Sequence, residues 1–349
     1  MIFTSEQVSC GHPDKICDQI SDAILTYLLE EDSESRVAVE SMIKDRSIYI
    51  VGEVTSSAPL TINIVKNIIS PIFTHIKMDI NNYIIHMNIS KQSPDIAMGV
   101  DSGGAGDQGM MFGYATNETP EMMPIPFAVA TYALKLLNIE KNHMLTADAK
   151  SQVSYDYDNN RITTFLISTS HKEEYETKDF YEYVKGIMMR SAEHYGLNTD
   201  FDVLLNPTGR FVVSGAFSDS GLTGRKIIAD TYGGMAHHGG GCFSGKDPSK
   251  VDRSGAYMAR KVAKDIVRNN LCSKCEIQVA YAIGVKEPVS LLIETFGTEN
   301  VPIEEIERFA HNYDWTPQGI IEYLKLKEVD YNATSTYGHF GNKDVPWER

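Results

Sequence analysis

The chain has 349 residues, 42% of them apolar and 23% charged, with a formal net charge of −15. Such a balance suits a globular protein of two or three domains, and the acidity excludes binding of nucleic acid through a general basic surface. The longest apolar stretch, residues 125–134, is too short to span a membrane, while an odd count of five cysteines and a start lacking a signal-peptide pattern point to reduced thiols in the cytoplasm.

Three similar passages follow one another along the chain. In the first, Ile16, Ile20, Ala23, Ile24, Tyr27 and Leu28 form one apolar helical face. Strands are predicted at 36–43 and 47–55, then a helix at 60–76 that Pro71 should kink or end. The second passage has a helix at 125–137, a hairpin of 151–157 and 161–169 around Asp158-Asn159-Asn160, and a helix at 178–195. The third has an amphipathic helix at 252–267, paired strands at 276–285 and 289–296, and a helix at 303–311. The hairpins begin about 115–125 residues apart, which reads as triplicated α/β units in an α+β fold. Antiparallel or mixed sheets with helices on one face are expected. The domains are placed at 1–101, 102–211 and 212–349, with boundaries near the glycine segment 102–109 and the region 209–220.

Charged motifs punctuate these passages. Gly11-His12-Pro13-Asp14-Lys15 opens the first helix, where Pro13 and Asp14 suit an N-terminus. A plain cap explains this pattern as well as a site does, in which His12 meets phosphate and Asp14 a metal. Asp18 and Asp22 share the face of Asp14 and are expected in solvent. Glu40 and Glu53 sit in apolar strands, either on an exposed face or beside a partner or ion. Gly104, Gly106 and Gly109 spell a G-x-G-x-x-G, but a strand follows rather than a helix, which rejects a dinucleotide fingerprint. Asp148-Ala149-Lys150 precedes the second hairpin, and Arg210 and Phe211 offer a cation and an aromatic for stacking, although core packing suits Phe211 equally. Cys272 and Cys275 form a C-x-x-C with no second pair to complete a zinc site.

The segment from Gly233 to Arg253 stands apart. Its six glycines suggest backbone brought close to something, or positive φ. Lys246, Lys250 and Arg253 add positive charge, and Asp247 and Asp252 are candidate metal ligands. Residues 223–264 carry eight Lys/Arg against three Asp, a local reversal of the acidic background. Backbone amides, lysines and a metal carboxylate together suit a polyphosphate. Gly240, Gly245 and Lys246 nearly spell a P-loop, but Asp247 stands where its hydroxyl should be.

Together the motifs resemble the S-adenosylmethionine synthetase family. GHPDK at 11–15, KQSPDI at 91–96, GAGDQG at 104–109, DAKSQV at 148–153, NPTGRF at 206–211, GLTGRK at 221–226 and GGGCFSGKDPSKVDR at 239–253 occur in the family's order, and the match runs from Phe3 to Trp347. The resemblance implies three α+β domains with pseudo-threefold symmetry, and a homodimer, often paired into a tetramer, with active sites at its interface. It implies a reaction of ATP with L-methionine, the triphosphate then being hydrolysed to diphosphate and phosphate. A thioether attacking the ribose 5′-carbon needs no base. It needs alignment and charge stabilisation on the departing triphosphate. By the same resemblance, His12 lies near the leaving oxygen, and Lys150, Arg225, Lys226 and Lys246 line the triphosphate. Asp14 and Asp252 would bind two Mg²⁺ and Glu40 a K⁺. Glu53, Gln92, Asp219 and Lys250 would hold methionine, with Asp107 nearby. Asp148, Arg210 and Phe211 would surround the adenosine, and Asp219, Ala149 and Cys242 would add ATP contacts.

The chain departs from the family pattern in places. The family usually carries on the order of ten more residues, a mobile lid, before GAGDQG. Here only Ser102 and Gly103 separate Asp101 from Gly104. Cys10 stands where Glu is usual, Cys242 replaces a small residue, and His237 replaces a frequent Arg. The short connection leaves an attenuated, nucleotide-binding partner subunit as the alternative reading. A tripolyphosphatase is a third, against which the retained methionine positions argue.

Overall fold

The structure is a computed structural model that describes residues 1–92, 103–139, 143–175 and 178–349. The first passage runs β1 (Ile2–Val8), α1 (Pro13–Glu31), β2 (Arg36–Lys44), β3 (Ser47–Thr55), α2 (Ile62–His75) and β4 (Ile84–Ser90). The second runs β5 (Gly109–Thr116), α3 (Ile125–Ile139), β6 (Leu145–Asp156), β7 (Arg161–His171), α4 (Lys178–His194) and β8 (Asp202–Leu205). The third runs β9 (Gly221–Leu222), α5 (Ile227–Asp230), α6 (Val251–Arg268), β10 (Lys274–Tyr281), β11 (Ser290–Glu294), α7 (Ile303–His311) and α8 (Pro317–Tyr323). The motif helix–hairpin–helix thus occurs three times, as α1-β2-β3-α2, α3-β6-β7-α4 and α6-β10-β11-α7. This is the α+β architecture that the spacing of the hairpins predicts.

Three sheets result, ordered β4-β3-β2-β9, β1-β6-β7-β8 and β11-β10-β5. Each contains a strand from a different passage of the chain, so the three units are laced together. The hairpins are antiparallel, whereas β3–β4 and β7–β8 pair in parallel, making two of the sheets mixed. Alternation along β2 and β3 buries Val37, Val39, Ile43, Ile48 and Ile50 under α1 and α2. The opposite face of that sheet leaves Met42, Tyr49, Val51 and Ile84 exposed. One core joins the first and third units, and a second fills the central one.

Four expectations change. Pro71 lies inside α2 and does not end it; Pro71 and Asn67 are both exposed, so the carbonyl that proline leaves without its helical donor faces solvent. Asp18 and Asp22 are fully buried rather than solvated, because α1 is enclosed on all sides. The third hairpin is shorter than predicted. Its connecting turn instead binds the GAGDQG segment: the Ala105 N–H donates to the Val285 carbonyl (3.0 Å) and the Gly284 N–H to the Ala105 carbonyl (2.8 Å). Sequence periodicity also missed β1, β4 and β8, which end or edge their sheets. The brevity of the connection before Gly104 involves Asp101 and Ser102, which lie outside the described residues, as does the end of KQSPDI.

Candidate active site

The site is built from the N-terminus of α1. His12 caps it, its Nδ1 accepting the Asp14 N–H at 3.1 Å, and Pro13 occupies the first turn. The cap is therefore real, and it also fixes chemistry. With Nδ1 accepting, the proton of the neutral imidazole sits on Nε2, which becomes a donor. Burial, with Lys226 and Lys150 adding repulsion, pushes the His12 pKa down to about 3, so the ring is neutral at any physiological pH.

Asp14 gathers the GLTGRK loop. Its Oδ1 accepts the Leu222 N–H at 2.9 Å, its Oδ2 takes the Lys226 ammonium at 2.5 Å, and Arg225 Nε lies 4.0 Å away. One turn on, Asp18 accepts the Gly224 N–H at 2.8 Å. Lys15 is fully buried between Asp18 (3.0 Å) and Asp230 (2.5 Å). Two turns of α1 therefore hold both ends of the segment that carries Arg225 and Lys226.

Strand β6 brings the next group. Val8 pairs with Lys150, and Ser9 continues the pairing to Ala149. Asp148 is buried and accepts the Gly215 N–H at 2.8 Å. Burial pushes its pKa up to about 6, with Asp219 adding to the rise and the Gly215 N–H and Lys150 opposing it. Ala149 turns its side chain into the central core, and both its backbone groups bond to Ser9. Lys150 and Asp219 are both exposed and both act on His12 electrostatically.

The glycine segment approaches its own chain. Gly245 has φ +82°, and a Cβ there would lie 1.9 Å from the Val39 carbonyl. Its N–H donates to Asp22 at 2.9 Å, and Arg253 grips the same carboxylate at 2.7 and 3.0 Å. Asp247 accepts the Val37 and Ser249 N–H groups and the Lys250 ammonium. Asp247 and Arg253, predicted to serve a ligand, are thus structural. Lys246, paired with Asp252 at 2.6 Å, and Lys250, paired with Asp247, are half-buried. Cys242 packs where a Cβ on Gly224 would meet it at 2.5 Å, linking this segment to the GLTGRK loop.

Sheet register extends this second group. Ala38 bridges to Lys246 and pairs with Glu53, which pairs with Ser90, two residues before Gln92. Glu53 and Glu40 lie exposed on the sheet's open face, and Glu40 acts on Lys246. One cluster so holds His12, Asp14, Asp148, Lys150, Asp219, Arg225 and Lys226; a second centres on Lys246, Asp252 and Glu40, with Lys250 on the same loop, Glu53 beside it by sheet register and Gln92 two residues past Glu53's strand partner.

Family models match the chain in three consecutive pieces: the N-terminal domain of S-adenosylmethionine synthetase over residues 1–94, its central domain over 102–211 and its C-terminal domain over 213–349. The chain belongs to the S-adenosylmethionine synthetase family.

Other residues singled out by the sequence stand further out. Arg210 pairs with Glu173 at 2.5 Å on the surface. Phe211 is half-buried, its N–H donating to His171 Nε2 at 3.2 Å. Asp107 is exposed and accepts the Gln108 N–H. His237 holds Glu276 at 2.7 Å. All five cysteines are free thiols. No described helix is long and apolar enough to cross a membrane. Sequence reading missed Lys15, Asp230 and Ser170. Ser170 clamps the backbone of Asp148, its hydroxyl donating to the carbonyl at 2.8 Å and accepting the N–H at 3.1 Å. Lys15 alone carried a signal, standing three residues before Asp18 on one helix face.

Proposed function

We propose that the chain is an active methionine adenosyltransferase, forming S-adenosylmethionine from ATP and L-methionine by in-line attack of sulfur on the ribose 5′-carbon, and then hydrolysing the triphosphate. The observation that carries this reading is the first cluster: three cations converge on a helix N-terminus beside a histidine held neutral. That set stabilises a departing polyanion and offers no nucleophile of its own. His12 donates from Nε2 toward the oxygen leaving the 5′-carbon. Lys150, Arg225 and Lys226 receive the triphosphate, while Asp148, Arg210, Phe211 and Cys242 border the nucleotide; Ala149, expected there, faces the central core instead. Glu53, Gln92, Asp219 and Lys250 hold methionine, with Asp107 beside them.

Among the described residues no cluster of three or more His, Cys, Asp or Glu could close on a metal. Single carboxylates still fit Mg²⁺, which is usually held by one or two carboxylates plus substrate phosphates and water. Asp14 and Asp252 would each hold one such ion, and Glu40 a K⁺. Bound there, the ions would neutralise triphosphate charge. Lys226 and Lys246, now paired with those carboxylates, would then turn to the phosphates.

The first cluster gathers at the N-terminus of α1, whereas Glu40 and Glu53 of the second lie on the first sheet's open face. We infer that a second copy of the chain covers the open face bearing Met42, Tyr49, Val51 and Ile84, and brings one protomer's first cluster against its partner's second. A homodimer follows from this reading; its pairing into a tetramer and its place in the cytoplasm are proposed with it from the family resemblance. The test is ATP consumption with Mg²⁺ and K⁺, with and without L-methionine, alongside mass detection of the sulfonium product. Product only with methionine, with equimolar phosphate and diphosphate, is expected. Phosphate release without methionine would make the chain a hydrolase, and nucleotide binding without turnover a partner subunit.

A further inference from the structure

Behind β6 lies a cavity of about 490 Å³ that the proposed reaction does not use. Its floor is apolar, with Leu134, Leu145 and Ala149 buried against it. Its rim is basic: His75, Lys77, His143 and Lys172 stand exposed around it. Among the described residues no carboxylate lines it. In a chain of net charge −15, a rim with two lysines and, among the described residues, no carboxylate is a local patch of the opposite sign. Lys77 is steered into place by its ammonium, which reaches the Leu145 carbonyl at 3.5 Å. An apolar floor under a charged rim is the usual build of a small-molecule site.

The cavity shares a wall with the candidate active site. Ala147 and Ala149 line it, and Asp148 between them borders a neighbouring cavity together with Gly11. The Ser9 hydroxyl donates to the Ala147 carbonyl at 2.6 Å and accepts the Ala149 N–H at 2.8 Å. The Ser9 carbonyl accepts the His12 N–H at 3.1 Å. An occupant pressing on Ala147 and Ala149 therefore acts on the backbone that carries Asp148 and His12.

We propose that this cavity binds a small organic anion, an acidic group on an apolar body, and that its occupancy changes how the neighbouring site handles ATP. The first half stands on the cavity alone, and the second rests on the transferase reading. The probe is 1-anilinonaphthalene-8-sulfonate, titrated by fluorescence against the full chain with ATP saturating, beside the neutral N-phenyl-1-naphthylamine. Binding of the sulfonate should persist with ATP present and weaken tenfold or more in the Lys77→Glu/Lys172→Glu variant, with the neutral compound bound equally by both. Sulfonate binding that ignores the charge reversal, or that ATP abolishes, overturns the site. A melting curve checks the variant, and Lys172→Glu alone replaces it if the double change unfolds the chain. The KM for ATP should shift severalfold with the sulfonate in the parent and stay fixed in the variant. An unchanged KM overturns the coupling, and a chain without transferase activity leaves the binding result to be decided by fluorescence.

Discussion

Burial pushes both His12 and Asp148 towards the neutral form, lowering the pKa of the one and raising that of the other. His12 is kept neutral because a charged ring would face Lys226 and Lys150 without water. Its use is then as a hydrogen-bond donor, and His12→Asn, which keeps a donor, should show a kcat about tenfold or more above that of His12→Ala. Equal losses would remove the donor role. Asp148 pays the reverse toll: its pKa rises from 3.8 to about 6, so the folded state holds a proton that the unfolded chain releases earlier. A raised folded pKa means stability present below pH 4 and lost as pH climbs through 6. Asp148→Asn keeps the acceptor for the Gly215 N–H and removes the charge. It should gain stability relative to the parent at pH 8 over pH 4, on the order of 3 kcal/mol, read by denaturant titration. A gain independent of pH would contradict the assignment.

At the scale of elements, α1 and the glycine segment form one unit through Asp22. Removing that carboxylate leaves Arg253 charged and buried, so Asp22→Ala should cost about 3–5 kcal/mol in chemical denaturation. Gly245→Ala should fail similarly, since its φ of +82° and the Val39 carbonyl both refuse a Cβ. Near-parent stability for either would break the link. These contacts also show where the sequence stopped being legible. The helix–hairpin–helix pattern was readable because apolar periodicity is local, and α7 fell on its predicted bounds. The glycines were readable as close approach, but not what they approach: Val39, Met110 and Pro13 are distant in sequence from Gly245, Gly239 and Gly221. Asp18 and Asp22 looked solvated because the residues that bury them arrive from the third passage. The same limit applies to the segment before GAGDQG, whose shortness is a property of the sequence. Lengthening the connection between Asp101 and Gly104 by about ten residues should lower the methionine KM if a lid is what it lacks. An unchanged KM would show that this chain closes its site by other means.

For the whole molecule, three laced sheets fix two clusters that no single stretch of sequence contains. Motif order supplied the candidates in both, and register sets Lys246 and Glu53 in one row across the strands, ending two residues short of Gln92. What the order of motifs could not reveal is the division itself, because that depends on which strands are neighbours. The most direct measurement is complementation between Lys226→Met, which disables the first cluster, and Lys246→Met, which disables the second. Each variant alone should be nearly inactive. Unfolded together and refolded as an equal mixture, half the dimers would be mixed, each with one intact site, restoring about a quarter of parent activity. Restoration near that level is the result expected of a reaction centre shared between two copies. Mixed dimers that form and remain as inactive as either variant would contradict it, and would place both clusters in one chain's own site.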